Sequence, residues 1–509
     1  MFVSTVQQKA KITLQSSSRH VTPAVNTRGS DLTEIHECLR LHRYMSANFR
    51  LESGALVSVL SALWSASRHE EVSHAAVVTV FRCVCVFVCP LSSRDCTDAE
   101  GRQRVWTGVW DKQVVGVADP RKFARSKLQQ QHRIVDDNVF DDWHSIVERE
   151  KFADAVLICT PDRLHKEPAV AFAKKGYHIL LEKPMATTAE DCMAIVEACT
   201  QSGVILSVGH VLRYDPTIHK IKELIVAGVI GDVVHIQHLE PVGFYHFAHS
   251  FVRGNWRNEA ESSFVLLAKS CHDIDLIHDW AGARRCVRLS SFGSVSHFRK
   301  DNKPTGAADR CLDCSIERDC PYSARKIYLD RVKQGHTGWP VSVICPSSLP
   351  DIESVTEALR TGPYGRCVYE CDNDVCSNQV VNMEFEGGLT AGLSMVAFTK
   401  EICKRKTTIY GSKGELSYDG HEVCVFDFLT QRSTKHTAHE NTPWQFGMSG
   451  HGGADYHLMD AFISAVANKD PSLIRSGPAE TLQSHLLVFE AERSRLEGRV
   501  VYCGDAGQS

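Results

Sequence analysis

Three residues near the middle of the chain, Glu182-Lys183-Pro184, stand directly after an apolar run, Tyr177 to Leu181, that reads as a strand. An amine at the carboxyl end of such a strand sits where an open parallel sheet gathers its ligands. Partial loss of solvent there lets the amine exchange a proton with a substrate hydroxyl, which a solvated lysine with a pKa of about 10.4 does inefficiently. The tripeptide alone fits an ordinary solvated lysine equally well. A second candidate is Cys311-x2-Cys314-x5-Cys320, followed by Pro321. Three thiolates this close can meet at one tetrahedral zinc at about 2.3 Å, with Cys271, Cys345 or Cys371 as fourth ligand, or can stay reduced structural thiols. A third is Gly450-His451-Gly452-Gly453, either a loop beside a substrate or a plain turn before a helix.

These residues need a frame, and the periodicity supplies one. Between Gln113 and Gly209 short apolar runs alternate with helical stripes, the pattern of strand-helix-strand units and a parallel sheet. Val114 to Ala118, Ala155 to Cys159, Tyr177 to Leu181 and Val204 to Val208 read as strands. Trp143, Ile146 and Val147 give a short helix its core-facing stripe. His165 to Lys175 reads as a helix with Pro168 in its first turn and Gly176 just past its end. Thr187 with Glu190 predicts a capping box for a helix running to Gly203. Beyond Gly209 one helix runs from Asp215-Pro216 to Gly228, and strands then alternate apolar and polar residues. Val381, Met383 and Phe385 share one face, and Gly387-Gly388 can turn a hairpin into Leu389 to Phe398. Further strands from Thr407 to Phe428 extend an antiparallel sheet, and Tyr456 to Ala467 and Glu480 to Leu496 read as the last helices. The fold class is therefore α/β: a Rossmann-like parallel sheet over residues 76–209 and a C-terminal α/β domain with a large, mainly antiparallel open sheet over 210–509. An atypical, poorly ordered segment over 1–75 precedes them.

The stretch Ala155-Val-Leu-Ile-Cys-Thr-Pro-Asp162, then His165, Glu182-Lys183-Pro184 and Gly209-His210 with Arg213, resembles the Gfo/Idh/MocA oxidoreductase family. The resemblance runs from about Val114 to Cys503. It implies a Rossmann domain plus an α/β domain, NAD or NADP as cofactor, and a sugar-, polyol- or cyclitol-like alcohol or carbonyl compound as substrate. It further implies that Lys183 lies beside the nicotinamide and the reacting carbon, with Glu182 and Pro184 shaping the turn, and that His272 serves as acid or base. An imidazole suits that role because its pKa of about 6.5 lets it take and give a proton near neutrality. By the same resemblance Asp119 meets the adenosine ribose, and Thr160, Pro161 and His165 form the loop under the dinucleotide. Arg121 beside Asp119 keeps NADP open. His210, Arg213 and Trp256 line the substrate side. The family pattern often has an aspartate four residues before the histidine; Ala268 stands there, with Lys269 next as a substitute charge near the substrate.

One departure is larger. The fold needs a first strand and a Gly-x-Gly-x-x-Gly turn for the pyrophosphate. Before Gln113 the glycines are Gly29, Gly54, Gly101 and Gly108, and none has that spacing. Val77 to Cys89 can supply a substitute strand, with Pro90-Leu91-Ser92-Ser93 where the glycines belong. The missing loop, with Ala268, gives a second reading: a non-catalytic relative that serves as a ligand-sensing or interaction scaffold.

Composition limits the rest. The 509 residues carry 57 Lys and Arg against 61 Asp and Glu, a formal net charge of -4, and no basic stripe suited to nucleic acid. Ala75 to Leu91, interrupted by Arg82 and ended by Pro90, is shorter than the roughly 20 apolar residues of a membrane span and reads as a buried strand. Twenty cysteines spread along a long chain fit reduced thiols and a cytoplasmic setting. The basic, serine-rich first thirty residues offer mitochondrial targeting as the alternative. The expected partners are a small molecule and further copies of the chain, with neither membrane nor nucleic acid.

Overall fold

A computed structural model describes residues 78–85, 110–345, 350–436 and 450–504. Its first sheet has six strands in the order β3-β2-β1-β4-β5-β6. These are β1 (Val78–Cys85), β2 (Trp110–Ala118), β3 (Val139–Phe140), β4 (Ala155–Ile158), β5 (His178–Leu181) and β6 (Leu206–Val208). Strands β2 and β3 pair in parallel, as do β4 with β5 and β5 with β6. Both faces of β4 are covered, which is why it reads as an unbroken apolar run. Val156 and Ile158 pack with Phe172, Ala173 and Ile195 of the helices Lys166–Lys174 and Ala189–Gln201, while Ala155 and Leu157 belong to a second core shared with Tyr214 and Phe462. Burial of the larger apolar side chains among them, such as Ile158, Leu157 and Phe172, stabilises the fold by about 1.5–3 kcal/mol each relative to exposure. Local signals hold with one shift: Gly176 adopts φ +82°, but the cap of Ala189–Gln201 is Thr188, accepting from Asp191 N at 3.1 Å, instead of Thr187.

The substitute first strand exists, but it runs the wrong way for a phosphate loop. β1 fills the central position between β2 and β4 and is antiparallel to both. Val78 lies opposite Ala118 and Ile158, so β1 begins at the edge where its neighbours end. A phosphate cradle needs the strand to finish at that edge. The expectation of a parallel first strand is corrected accordingly: an apolar run has no direction of its own, and an antiparallel ladder satisfies its backbone equally well. The expected atypical, poorly ordered segment over 1–75 and the Pro90-Leu91-Ser92-Ser93 segment lie outside the described residues.

The second sheet is mixed and mostly antiparallel, in the order β14-β13-β12-β11-β7-β10-β9-β8-β15. Its strands are β7 (Val233–Pro241), β8 (Cys286–Ser294), β9 (Asn378–Phe385), β10 (Thr390–Val396), β11 (Lys406–Gly411), β12 (Gly414–Tyr418), β13 (Val423–Asp427), β14 (Arg432–His436) and β15 (Val501–Tyr502). Only β7 and β10 pair in parallel. Val381, Met383 and Phe385 are buried on the inner face as the alternation demands, and Gly387 and Gly388, both at φ +81°, make the hairpin turn. The inner face packs on the helices Cys271–Trp280 and Pro478–Glu497, the second of which also reaches the first sheet. Between β8 and β9 lies an insertion of short helices and turns with its own apolar cluster around Tyr328, Leu359 and Tyr364. Among the described residues no helix is long and apolar enough to cross a membrane.

Candidate active site

The site forms where β4 and β5 end. The chain leaves β4 through Thr160-Pro161-Asp162 and leaves β5 through Glu182-Lys183-Pro184. Gly209, after β6, lets these turns close up: a side-chain carbon there would lie 3.1 Å from Glu182 Oε2 and 3.3 Å from Lys183 N. Buried His165 ties two turns together, its ring nitrogens 2.7 Å from Pro184 O and 2.8 Å from Thr160 O. Lys183 Nζ donates to Ala268 O at 2.9 Å and lies 6.0 Å from the centre of the Trp256 ring. Trp256 is fixed in turn by donating Nε1 to Asp162 Oδ2 at 3.1 Å. Thus the position where the resemblance leads one to expect an aspartate contributes its backbone carbonyl to the lysine.

Opposite Lys183, the first turn of the helix Cys271–Trp280 presents His272. Its Nδ1 has no hydrogen-bond partner among the described residues, and burial, reinforced by the Lys183 ammonium, pushes the imidazole well below its usual range. Asp273 behind it meets Arg405 Nε at 2.7 Å and His238 Nε2 at 3.0 Å. Burial opposes that carboxylate, yet Arg405 and His238 hold it well below the usual carboxylate range. Arg405 also reaches Glu240 at 3.3 Å, and Lys269 Nζ lies 3.4 Å from Glu240 and 3.0 Å from Cys403 Sγ. Buried charges of alternating sign offset part of one another's desolvation here, although neither Glu240 carboxylate oxygen has a hydrogen bond among the described residues.

Lys183, His272, Trp256, Lys269, Trp339 and Cys403 line one cavity of about 460 Å³, together with Thr160 and Glu182. That lies within the roughly 300–1,000 Å³ of small-molecule sites. The other expected residues sit elsewhere. Arg213 does not line this cavity: its Nε and Nη2 grip Asp275 at 2.6 and 3.0 Å, and Nη1 meets Asp279 at 2.8 Å. Its guanidinium is thus engaged by Asp275 and Asp279, away from the cavity that the expected substrate-holding role would require it to line. His210 lies behind the cavity, its ring edge-on to His272 at 5.4 Å and to His485 at 5.3 Å, and neither ring nitrogen has a hydrogen bond among the described residues. Pro161, Pro184 and His165 shape the turns from beneath. At the end of β2 Asp119 is fully buried and held by Arg121, Nε to Oδ1 at 3.0 Å and Nη2 to Oδ2 at 2.8 Å.

His246, Trp339, Cys403 and Arg405 join the site unannounced by any motif. His451, from the turn before the helix Ala454–Asn468, reaches it as well, uniting the two readings of the Gly450-His451-Gly452-Gly453 segment. The zinc expectation fails. Among the described residues no group of three or more His, Cys, Asp or Glu is placed to hold a metal ion, and Cys311 Sγ faces the Arg253 guanidinium at 3.5 Å instead of a shared centre with Cys314 and Cys320.

Known proteins show the same architecture. A family model described as an oxidoreductase family with an NAD-binding Rossmann fold matches residues 96–210, and one described as the C-terminal alpha/beta domain of an oxidoreductase family matches residues 222–501. YteT of Bacillus subtilis (strain 168) is 26% identical over 404 residues, 77% of this chain and 87% of that protein. Inositol 2-dehydrogenase 1 of Saccharopolyspora erythraea is 36% identical over 147 residues, 29% of this chain and 40% of that enzyme. A solved structure of levoglucosan dehydrogenase with NADH and L-sorbose superposes with a TM-score of 0.54 at 16% identity, over 76% of this chain and 88% of that one, a likeness of fold.

Proposed function

Because the chain belongs to the Gfo/Idh/MocA oxidoreductase family across both sheets, we propose that it moves hydride between NAD or NADP and a sugar-, polyol- or cyclitol-like alcohol or carbonyl carbon. One observation carries the reading: Lys183 and His272, from different domains, face a single aromatic-walled cavity at the carboxyl ends of β4 and β5.

The residues fit a dinucleotide unevenly. Thr160, Glu182 and Lys183 leave room for its nicotinamide end in the cavity, and the unpartnered His272 Nδ1 supports a polar ligand there. Where the adenosine would be held, the Asp119 carboxylate is already occupied by Arg121, and β1 ends at the opposite edge from the one where a phosphate cradle would be needed. The Asp119–Arg121 pair suits NADP through the guanidinium and NAD through the carboxylate, whichever the ligand draws off. When bound, the nicotinamide supplies the hydride donor or acceptor. The chain's own groups handle the proton and the geometry. Lys183, oriented by Ala268 O, offers its ammonium to the reacting oxygen. Neutral His272 accepts the hydroxyl proton when an alcohol is oxidised, and returns it when a carbonyl is reduced. Trp256 and Trp339 exclude water and offer flat faces to C–H bonds, while Lys269 reaches the far hydroxyls.

The outer face of the second sheet, where Phe292, Val380, Tyr410, Phe426 and Tyr502 stay exposed, is the surface through which copies of the chain associate. Nicotinamide absorbance followed with the full-length protein, both cofactors and a panel of polyols, cyclitols and aldoses tests the catalytic reading. Turnover with wild type and none with Lys183→Met supports it, and equal turnover by both proteins overturns the assignment of Lys183.

A further inference from the structure

The turn Gly450–Gly453 and the helix Ala454–Asn468 after it bring to the cavity two residues that the chemistry above leaves unused. His451 lines the main cavity and also a much smaller one of about 10 Å³, close to the size of one water. The lining of the small one includes Glu182, Lys183, His272, His451 and Asp455. The imidazoles of His272 and His451 thus border the same two spaces from different elements. Both carboxylate oxygens of Asp455 lie 3.2 Å from His451 Nδ1. A carboxylate so placed accepts from Nδ1–H, sets the tautomer, and stabilises the imidazolium that forms when Nε2 takes a second proton. His451 itself stands at φ +44°, a left-handed backbone that strains a non-glycine residue, and such strain gathers where a side chain has to be aimed.

His272 needs such a neighbour. Burial first, then Lys183, His210, Arg405 and His451, all hold its imidazole well below the usual range. The next carboxylate along its helix, Asp273, is engaged by Arg405 and His238. A proton taken from a hydroxyl is therefore poorly held on His272 and has to leave before the next turnover. Glu182 Oε2 accepts from Lys183 N at 3.2 Å. His210, the other adjacent imidazole, is 1% exposed and leads inward to Asp275, whereas the His451 side chain is 23% exposed. We infer that His451 carries the proton between His272 and solvent, with Asp455 as its positioning residue; this rests on the hydride-transfer reading above and adds the proton's route to it. In alcohol oxidation the hydroxyl proton passes to His272, then to His451 Nε2 directly or through one water, and the His451 imidazolium releases it to solvent. In carbonyl reduction the same steps run backwards. One proton enters and one leaves, only N–H and O–H bonds change, and no electrons move along this route.

Chemical rescue in the full-length protein tests this. The variant is His451→Asn, because asparagine tolerates a left-handed backbone and cannot carry a proton. With a substrate that wild type turns over, its kcat falls about 10²-fold while KM stays within about twofold, and added imidazole restores kcat saturably, which a merely structural defect would not show. Wild type gains nothing from imidazole. Asp455→Asn lowers kcat less, and Asp455→Glu recovers part of it. A second readout needs neither cofactor nor turnover: in nitrogen NMR of protein carrying isotope-labelled histidine, the neutral His451 ring holds its proton on Nδ1, and Asp455→Asn removes that preference. Should His451→Asn fail to fold, Asp455→Asn and the tautomer still decide. An unaltered kcat in His451→Asn, a loss that imidazole does not restore, or a neutral ring protonated on Nε2 would each overturn the relay and leave the hydride-transfer reading standing. Turnover of no substrate by wild type would overturn that reading and the relay with it.

Discussion

Replacing Arg213 with methionine separates a structural role from a substrate-binding one. The guanidinium and Asp275 are respectively 8% and 2% exposed at their side chains, so both charges depend on each other instead of on water. Two hydrogen bonds run to the Asp275 carboxylate and an ion pair to Asp279. Arg213→Met leaves the Asp275 carboxylate with Ser484 Oγ at 2.9 Å and His210 at 3.9 Å. Removing one partner of a buried pair costs about 3–5 kcal/mol, and two charge-assisted bonds at about 1.5–3 kcal/mol each reach a similar figure. Urea denaturation at pH 7.5 should show that loss, and adding Asp275→Asn should recover part of it, with a coupling of about 2 kcal/mol or more in the double-mutant cycle. Burial opposes ionisation of Asp275, whereas His210 and Arg213 hold its carboxyl well below the usual range. The deficit of the single variant therefore shrinks as pH falls through the carboxylate range, where a protonated Asp275 no longer needs the guanidinium. A variant as stable as wild type, with KM raised tenfold and kcat intact, would place Arg213 against substrate and refute this reasoning.

Lys183→Met removes the group that donates to Ala268 O and faces the reacting oxygen, and should lower kcat by about 10²–10⁴-fold with an unchanged melting curve; a drop below tenfold would deny it a proton-handling role. Arg121→Ala frees the Asp119 carboxylate and deletes the cation beside it, so NADPH affinity should fall relative to NADH by about tenfold in fluorescence titrations, and an unchanged ratio would show that the pair does not meet the ribose. His272 and His485 are both held neutral by burial, His485 down to about 3. Below about pH 6.5 the unfolded chain binds protons that the folded one refuses, so these two histidines make stability fall on acidification by about 3 kcal/mol per pH unit. Chemical denaturation at pH 7.5, 6.5 and 5.5 should show a flat step followed by a loss, and equal stability at 6.5 and 5.5 would contradict it.

Much of this was readable before any coordinates, and what was missed has physical causes. Runs such as Ala155 to Ile158 and the alternation of Val381, Met383 and Phe385 carry their burial in the pattern of residue types, so strands, helices and the place of Lys183 follow directly. The direction of β1 does not, because apolarity is the same read either way. Arg213 matched a substrate-side position, yet its use was decided by Asp275, 62 residues later. The cysteine trio showed compactness but not the guanidinium that Arg253 brings from 58 residues upstream of Cys311. Cys403, at φ +54°, carries no sequence signal for a left-handed backbone beside a lysine. Asp273 and Asp275 gave no signal of their pairing either, since their partners Arg405 and Arg213 come from far along the chain.

The most direct measurement of the catalytic proposal is isotopic. Full-length protein incubated with 4-deuterated NADH or NADPH and a panel of ketoses and ketocyclitols should place deuterium on the new carbinol carbon of one product, and Lys183→Met should place almost none. Deuterium in no product, with neither reduced cofactor altering its nicotinamide fluorescence at millimolar concentration, would contradict a hydride site between Lys183 and His272.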